Sequence, residues 1–232
     1  MITVMVLASG SRGNAYVVSD GATPLLLEAG IPLRQLRPKA GFKISALVGC
    51  LLSHEHLDHA KAAANVMRAG VDLWCSSGSA EALGLGGHRL HIARAKEPFT
   101  LGTWTILPFD TVHDAVEPLG FLLTSGSERL LYATDTAYIR YRFPGCTVMM
   151  LECNYDLQTL KANVESGLVP REVKRRVLRS HMSIDTLCGF LRANDLSRLR
   201  EVWLLHLSDD SGDAEGFRRR VAEITGRIVR VA

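Results

Sequence analysis

The sequence predicts an α+β layered sandwich, in which two β-sheets pack together and helices cover them on the outside. Two observations support this prediction. Short apolar segments separated by tight turns fill the first two thirds of the chain, and helical periodicity replaces them in the last third. A chain of 232 residues with 47% hydrophobic and 22% charged residues can bury a substantial core, so we expect one globular domain over residues 1–232.

The predicted strands are short and are bounded by turn residues such as Asp20-Gly21. They cover residues 3–7, 15–18, 25–27, 46–52, 71–75, 104–108, 120–124, 129–133, 147–152, 202–206 and 228–231. Good helix formers at residues 58–69 end at Gly70, which favours a helix with a glycine C-cap. Further helices are predicted at residues 170–179, 183–193 and 214–225.

Composition argues against several classes of protein. The five cysteines are odd in number and lack a C-x-x-C pair, which predicts reduced, buried thiols. The formal charge of +3 is too small to indicate nucleic-acid binding by itself. No stretch approaches the roughly 18 apolar residues of a membrane helix, and the apolar start lacks the basic flank of a signal peptide. We expect a soluble, cytoplasmic protein with no membrane partner.

The strongest chemical signal is an H-x-H-x-D-H run directly after the predicted strand at residues 46–52, formed by His54, His56, Asp58 and His59. Side chains alternate faces in extended backbone, so His54 and His56 should project to one side. Asp58 and His59 begin the next predicted helix and can turn toward a neighbouring point. One peptide can therefore serve two metal positions, which predicts the start of a two-metal hydrolytic site.

Three more residues of ligand type lie at or just after the ends of predicted strands, namely His113, Asp135 and His206. A lone histidine at a strand end is usually structural, but three such positions beside an H-x-H-x-D-H run favour a dinuclear centre. Two divalent cations about 3.5–4 Å apart would lower the pKa of a bridging water from about 15.7 toward 7, giving a hydroxide nucleophile. Imidazole and carboxylate ligands suit zinc, with manganese as the alternative. Spacing alone does not assign ligands to either metal.

The order of these motifs resembles that of the metallo-β-lactamase fold superfamily, over almost the whole chain. The resemblance implies an αβ/βα four-layer sandwich. It also implies a ligand set of His54, His56 and His113 for one metal, Asp58, His59 and His206 for the second, and Asp135 bridging both. Catalytic roles are implied for Asp58, Asp135 and His181.

Within this superfamily the chain is similar to WalJ/YycJ-type proteins and to phage phosphodiesterases of the anti-Pycsar kind. Residues 9–14, 113–120, 151–156 and 180–183 carry the similarity. The WalJ-like proteins are associated with 5′-to-3′ DNA exonuclease activity, and the phage enzymes hydrolyse cyclic pyrimidine mononucleotides of the cCMP and cUMP type. The resemblance therefore implies a metal-dependent phosphodiesterase that acts on nucleotides or nucleic acids in a bacterial or phage-infected cell. It also implies a homodimer.

Substrate contacts are expected beside the metals. His181 resembles the histidine by which related phosphodiesterases contact the scissile phosphate, where it can donate a proton to the leaving oxygen. The residues expected to contact substrate are Ser9, Ser11, Asn14, His181 and Ser183. Ser183 has an alternative role as a plain helix N-cap. Asp114 and Glu152 are expected to orient ligand imidazoles, and the basic run at residues 171–179 is either a solvated face or a phosphate-steering patch.

Two residues depart from the patterns of these families. Tyr155 stands where the WalJ-like pattern tends to have histidine, and Glu28 replaces the aspartate of the usual Asp-x-Gly. Tyr155 and the modest charge favour cyclic mononucleotides over DNA or RNA as substrate.

A second hypothesis is a non-catalytic nucleic-acid-binding protein with structural metals, which predicts binding with a steep salt dependence and no turnover. A third is hydrolysis of a thioester or lactone.

Overall fold

The computed structural model describes the backbone of residues 1–40 and 44–232, and the side chains of residues 1–36 and 44–232. The chain forms two compact units. The first consists of Met1–Asp110 and Ala115–Arg129, and the second of Thr111–Asp114 and Leu130–Ala232.

Within its described residues, the first unit contains a six-stranded mixed sheet of order β1-β2-β3-β4-β5-β6. Its strands are β1 (Thr3–Ala8), β2 (Ala15–Ser19), β3 (Pro24–Leu27), β4 (Cys50–Leu51), β5 (Leu73–Cys75) and β6 (Leu90–Ile92). The first three strands pair antiparallel, and β3 to β6 pair parallel. A separate antiparallel ladder joins β7 (Phe99–Leu101), β8 (Trp104–Asp110) and β9 (Leu119–Ser125).

The helices of the first unit are short. They are α1 (Leu33–Ala40), α2 (Leu57–Ala60), α3 (Ala63–Arg68) and α4 (Ser77–Ala82), with a 3₁₀ turn at Ile44–Ala46. The buried side chains of this unit include Trp104, Tyr16 and Phe121. Cys50, Leu52 and Ala60, which flank the loop after β4, belong to one cluster of buried apolar side chains.

The second unit is built on parallel pairing of β10 (Glu128–Ala133), β11 (Val148–Glu152), β12 (Glu201–Leu205) and β13 (Ile228–Val231), with the start of β10 still in the first unit. Its helices are α5 (Leu157–Glu165), α6 (Arg171–Ser180), α7 (Ile184–Ala193) and α8 (Ala214–Thr225). Asp156, Ser183 and Asp213 cap α5, α7 and α8 by accepting a hydrogen bond from a backbone N–H of the first turn.

Most predicted elements are present, with two differences around the H-x-H-x-D-H run. The strand predicted at residues 46–52 is reduced to β4. The helix predicted at residues 58–69 is divided into α2 and α3, because the Ala62 N–H donates to the Ala29 carbonyl (2.7 Å) and the Ala29 N–H donates to the His59 carbonyl (2.7 Å). These bonds from a distant segment replace helical ones, and Gly70 follows α3 with the positive φ (94°) of a C-cap glycine.

Several short elements were not predicted, namely α1, α4, α5, β6 and β7. Each is too short to show a clear hydrophobic period, so tertiary packing decides its conformation. All five cysteines are free and buried, as predicted, and burial raises the pKa of Cys75 to about 12. In the described part of the chain, no helix combines the length and apolar character that crossing a membrane requires.

Asp20 joins the turn after β2 to neighbouring strands of the first unit. Its Oδ1 accepts hydrogen bonds from the N–H groups of Ala22 (2.9 Å) and Thr23 (2.8 Å). Its Oδ2 accepts from the Ser125 hydroxyl (2.6 Å) and from the Thr103 hydroxyl. Burial acts to raise the pKa of the Asp20 carboxyl, but these hydrogen bonds outweigh it and hold the pKa well below its usual range.

Replacing Asp20 by Asn should lower the free energy of unfolding at pH 7 by about 1 kcal/mol, because charge-assisted hydrogen bonds become neutral ones. Because the Asp20 pKa is lower in the folded state than in the unfolded state, the ionised carboxylate contributes its full stabilisation above the unfolded-state pKa of about 3.9. This stabilisation is lost as pH falls toward the folded-state pKa. The difference between wild type and variant should therefore shrink between about pH 4 and pH 2. Urea unfolding across this range measures it, with Asp209→Asn as an exposed control; a difference that grows in acid would contradict the assignment.

Candidate metal centre

The loop from β4 to α2 presents the histidines of the H-x-H-x-D-H run in the first unit. The ring centroids of His54 and His56 are 4.7 Å apart, and those of His54 and His59 are 4.2 Å apart. His54 and His59 are buried, whereas His56 and Asp58 are half-buried. The first unit thus gathers three imidazoles and one carboxylate on a single short segment, as the sequence predicts.

Neighbouring polar groups hold these imidazoles in place. Ser53 Oγ and His54 Nδ1 share a hydrogen bond of 2.9 Å, which leaves Nε2 as the nitrogen suited to a metal. The side-chain nitrogen Nδ2 of Asn14 lies 3.0 Å from His59 Nε2, and Glu28 Oε2 lies 3.5 Å from His59 Nδ1. Glu28 is fully buried and adopts a left-handed φ of 63°, so its backbone is strained to place this carboxylate beside the histidine.

Gly30 allows three segments of the chain, which contain Asn14, Gly30 and Asp58, to come into backbone contact beside the histidine loop. The Asn14 N–H donates to the Asp58 carbonyl (2.7 Å), and the Gly30 N–H donates to the Asn14 carbonyl (2.8 Å). A Cβ at Gly30 would lie 1.7 Å from the Asp58 carbonyl oxygen. Only glycine permits this approach, and Gly30 is the glycine of the segment that stands for the family's Asp-x-Gly.

The predicted substrate residues of the 9–14 turn differ in environment. Asn14 is fully buried, and its side chain hydrogen-bonds Gly10 as well as His59, so it supports the histidine loop. Ser9 accepts a hydrogen bond from the Tyr16 hydroxyl (2.8 Å), and Ser11 is exposed. Their contact with substrate stays a prediction.

The second unit brings four predicted residues together at the carboxyl ends of parallel strands. Asp135, Glu152, His181 and His206 each offer one ligand atom, and these atoms lie within 4.8 Å of one another. Glu152 ends β11, His206 follows β12, and Asp135 lies two residues after β10. Asp135 and His206 adopt left-handed φ values of 43° and 54°, a conformation that non-glycine residues rarely adopt outside constrained sites.

His113 joins this group from the short segment Thr111–Asp114. Its Nδ1 donates to the Ser180 carbonyl (2.8 Å), which directs Nε2 toward Asp135 Oδ2 at 3.5 Å. Burial lowers the pKa of His113 and outweighs the opposing effect of Asp135. A neutral imidazole with its Nδ1 proton fixed in this way suits metal coordination through Nε2.

Glu152 and His181 form a short contact inside the second unit, in which the carboxylate is fully buried. His181 Nδ1 donates to Glu152 Oε1 (2.6 Å), and Oε2 accepts from the N–H groups of Thr136 (2.7 Å) and Met182 (3.2 Å). Burial acts to lower the pKa of His181, but the Glu152 carboxylate outweighs it and raises the pKa. The His181 and His206 rings stack at 5.4 Å, so Glu152 fixes a histidine directly beside a predicted ligand.

Asp114 connects His113 to the basic helix α6. Its Oδ1 lies 3.3 Å from His113 Nε2, and its Oδ2 accepts from Arg176 Nε (2.7 Å). Arg175 and Arg179 line the same groove as Arg176, beside Ser180 at the end of α6. The sequence predicts a supporting role for Asp114 but does not indicate that Arg176 is its partner.

Ser183 and Asn154 complete the surroundings of the second unit. The Ser183 hydroxyl accepts from the Thr186 N–H (3.1 Å) as the N-cap of α7, and its predicted substrate contact stays a prediction. The Asn154 side chain donates to the His206 carbonyl (2.8 Å) and so fixes the strained backbone of that residue. Asn154 lies in the 151–156 stretch that carries the family similarity, but neither Asn154 nor Ser53 was predicted to support a ligand histidine.

The donor chemistry of both units fits divalent metal ions. The first unit offers imidazoles and a half-buried carboxylate, and the second offers further imidazoles and carboxylates at parallel strand ends. Buried histidines whose second ring nitrogen is held by a hydroxyl or a carbonyl are typical of zinc-type sites. This fold and these donor groups define a metal-dependent hydrolase of the metallo-β-lactamase fold.

Comparison with known proteins agrees with this class. The chain belongs to the family described as the beta-lactamase superfamily domain, whose model matches residues 23–206. It is 26% identical over 234 residues to exodeoxyribonuclease YycJ of Bacillus anthracis, covering 94% of this chain and 87% of that protein. It is 27% identical over 227 residues to exodeoxyribonuclease WalJ of Streptococcus pneumoniae strain D39, covering 90% and 83% respectively.

Solved structures give the same result for the fold. The metallo-β-lactamase fold protein YhfI from Bacillus subtilis has a TM-score of 0.78 and 18% identity, covering 100% of this chain and 97% of that one. The predicted fold class and the prediction of a metal-dependent hydrolase are therefore confirmed, as is the resemblance to the WalJ/YycJ proteins.

Proposed function

We propose that the protein is a metal-dependent nuclease that hydrolyses DNA phosphodiester bonds from a strand end. The observation that carries the proposal is the Glu152–His181 pair, in which a buried carboxylate holds a histidine beside Asp135 and His206. A histidine fixed among ligand-type residues suits proton transfer to the leaving oxygen of a phosphodiester. The exodeoxyribonuclease names of the two relatives support DNA as the substrate.

The ligand set that we propose is the one that the family resemblance implies. His54, His56 and His113 would hold one ion, Asp58, His59 and His206 the second, and Asp135 both. We propose Zn²⁺, because imidazole and carboxylate donors suit it. When bound, the ions would supply activation of water and neutralisation of charge on the phosphate.

The side chains around the ions would position the substrate and move one proton. The hydrogen bond from His181 Nδ1 to Glu152 fixes the ring, so that the proton on Nε2 is the one available to the leaving oxygen. Arg175, Arg176 and Arg179 on α6 present positive charge to phosphates approaching the Ser180–His181 corner. Asp114 orients Arg176 and would keep that guanidinium at the groove.

Cyclic mononucleotides, which the sequence favoured over DNA, are the second candidate substrate. Tyr155, which contributed to that preference, is buried and packs with Leu160 and Val169. A packing role gives this tyrosine no direct bearing on the substrate, and this supports the shift of our proposal to DNA. Membership of a hydrolase family likewise favours an enzyme over a non-catalytic binding protein. The homodimer and the cytoplasmic location stay predictions.

A substrate panel tests the proposal. The metal-loaded protein is incubated with single- and double-stranded DNA labelled at the 5′ end or, in separate samples, at the 3′ end, with cCMP and cUMP, and with a thioester, and products are resolved by electrophoresis or chromatography. We expect progressive shortening of DNA from an end, and no shortening by protein stripped of metal with a chelator. Consumption of cyclic mononucleotides or of the thioester, with DNA left intact, would contradict a nuclease.

A further inference from the structure

A groove in the second unit lies between the loop that follows Asp135 and helix α7. The side chains that matter here are Tyr138, Arg140, Tyr141, Arg142, Gly189 and Phe190. Tyr138 is 54% exposed, and both arginines are exposed. Among the described residues that line the groove, tyrosines and arginines alternate along one loop and none is acidic, so its lining combines aromatic rings with basic side chains.

The loop alternates buried anchors with presented side chains. Ile139 and Phe143 are buried, whereas Tyr138, Arg140 and Arg142 face solvent. The two apolar anchors, four residues apart, hold the backbone, and the half-buried Tyr141 lies between the exposed arginines. This interleaving of aromatic and basic residues is typical of surfaces that bind single-stranded nucleic acid.

Hydrogen bonds fix both ends of the loop. At the start, the Thr136 hydroxyl accepts from the Val112 N–H (2.9 Å) and donates to the Tyr138 carbonyl (2.8 Å). At the end, the Phe143 N–H donates to Asn194 Oδ1 (2.9 Å) on the C-terminal side of α7. A loop tied at both ends loses little conformational freedom when it binds a ligand, which favours affinity.

Gly189 leaves room for a ligand on the α7 side. A glycine inside a helix costs roughly 0.5–1 kcal/mol relative to alanine, so the helix itself gains nothing from it. A Cβ at Gly189 would meet no atom within 4 Å, and the space beside it is part of the groove. Substitution at this position can therefore fill the groove without a clash in the protein.

We propose that this groove binds single-stranded DNA, with bases stacked on Tyr138 and Tyr141 and phosphates contacted by Arg140 and Arg142. The inference rests on the proposed nuclease function and gives it a strand-binding subsite. Tyr138 is three residues after Asp135, so the two Cα atoms are at most about 11 Å apart. A strand held here enters the second unit next to the residues that we propose to bind metal.

Equilibrium binding tests the groove without depending on turnover. The full-length, metal-loaded protein is titrated into a fluorescein-labelled phosphorothioate oligothymidylate of about 12 nucleotides, and anisotropy gives the Kd. Tyr138→Ala should weaken binding about 5- to 150-fold, the effect of losing one stacked base. Gly189→Glu should also weaken binding, whereas Gly189→Ala should leave the Kd unchanged and raise the thermal stability of the protein.

Salt dependence tests the arginines. Arg142→Ala should reduce the slope of log Kd against log salt by about 0.7, the value for one phosphate contact on a single strand. The matched control, Arg219→Ala, removes one exposed arginine from α8 and should leave the slope unchanged. Circular dichroism of each variant shows whether it is folded.

The outcomes separate this inference from the proposed function. Weakened binding by the Tyr138, Gly189→Glu and Arg142 variants supports the groove even if the protein hydrolyses no DNA in the substrate panel. Wild-type affinity and salt slope in those folded variants would overturn it even if the protein is a nuclease. Tighter binding of the oligouridylate counterpart would overturn the assignment to DNA.

Discussion

Replacing Asp135 by Asn is expected to reduce phosphodiester turnover by at least about 10³-fold, since the proposed bridging carboxylate contributes several kcal/mol of charge stabilisation. Metal content should fall from two ions per chain to one at most, because a neutral amide is a poor bridge between two cations. Asparagine tolerates the left-handed backbone that Asp135 adopts (φ 43°), so the fold should persist. Turnover of an aryl phosphodiester and metal analysis by mass spectrometry measure the two effects.

Asp209→Asn is the matched control, because it removes an exposed carboxylate from the same unit and should alter neither quantity. Circular dichroism and thermal unfolding of Asp135→Asn show whether the loss reflects misfolding. A folded Asp135→Asn protein that retains two ions and wild-type turnover would exclude Asp135 as a bridging ligand.

Replacing Glu152 by Gln is expected to reduce turnover about 10²- to 10⁴-fold, the range that a positioned proton donor contributes. Each Glu152 oxygen accepts a hydrogen bond, one from His181 and the other from the N–H groups of Thr136 and Met182. A glutamine has one oxygen, so its NH₂ group must face either the His181 donor or the backbone donors. The free energy of unfolding should therefore fall by roughly 1–3 kcal/mol, the cost of a buried unsatisfied donor.

A double-mutant comparison separates positioning from stability. If Glu152 acts on catalysis through His181, the loss of turnover in Glu152→Gln combined with His181→Ala should equal that of His181→Ala alone. A merely structural Glu152 would give additive losses of turnover. Kinetics below the unfolding temperature of every variant keep the two effects apart.

The H-x-H-x-D-H run was recognisable in the sequence because its geometry is local. Alternation along an extended segment and the start of a helix bring His54, His56 and His59 close together, and distant residues such as Asn14 then fix the ring orientation. Asp135 and His206 were recognisable as ligand-type residues because each lies at or just after the end of a predicted strand. The parallel pairing that brings these strand ends to one edge of the sheet was decided by the tertiary structure.

Other parts of the site depend on contacts between residues far apart in the chain. The division of residues 58–69 into two helices follows from hydrogen bonds with Ala29, which lies about thirty residues earlier. The need for glycine at position 30 arises only where three segments converge. The hydrogen-bond partner of Asp114 is Arg176. Helix α6 carries several arginines, and the sequence does not indicate which of them contacts Asp114.

The sequence by itself determined the fold class, the ligand-type residues and the hydrolase class, because each depends on local periodicity or on an ordered set of motifs. Tertiary structure alone decided which neighbouring side chains and backbone groups hydrogen-bond to those residues and orient them. The Glu152–His181 contact joins residues 29 positions apart, and the groove beside Gly189 joins a loop to a helix about fifty residues later. Such pairings follow from the packing of complete elements, and no local pattern in the chain records them.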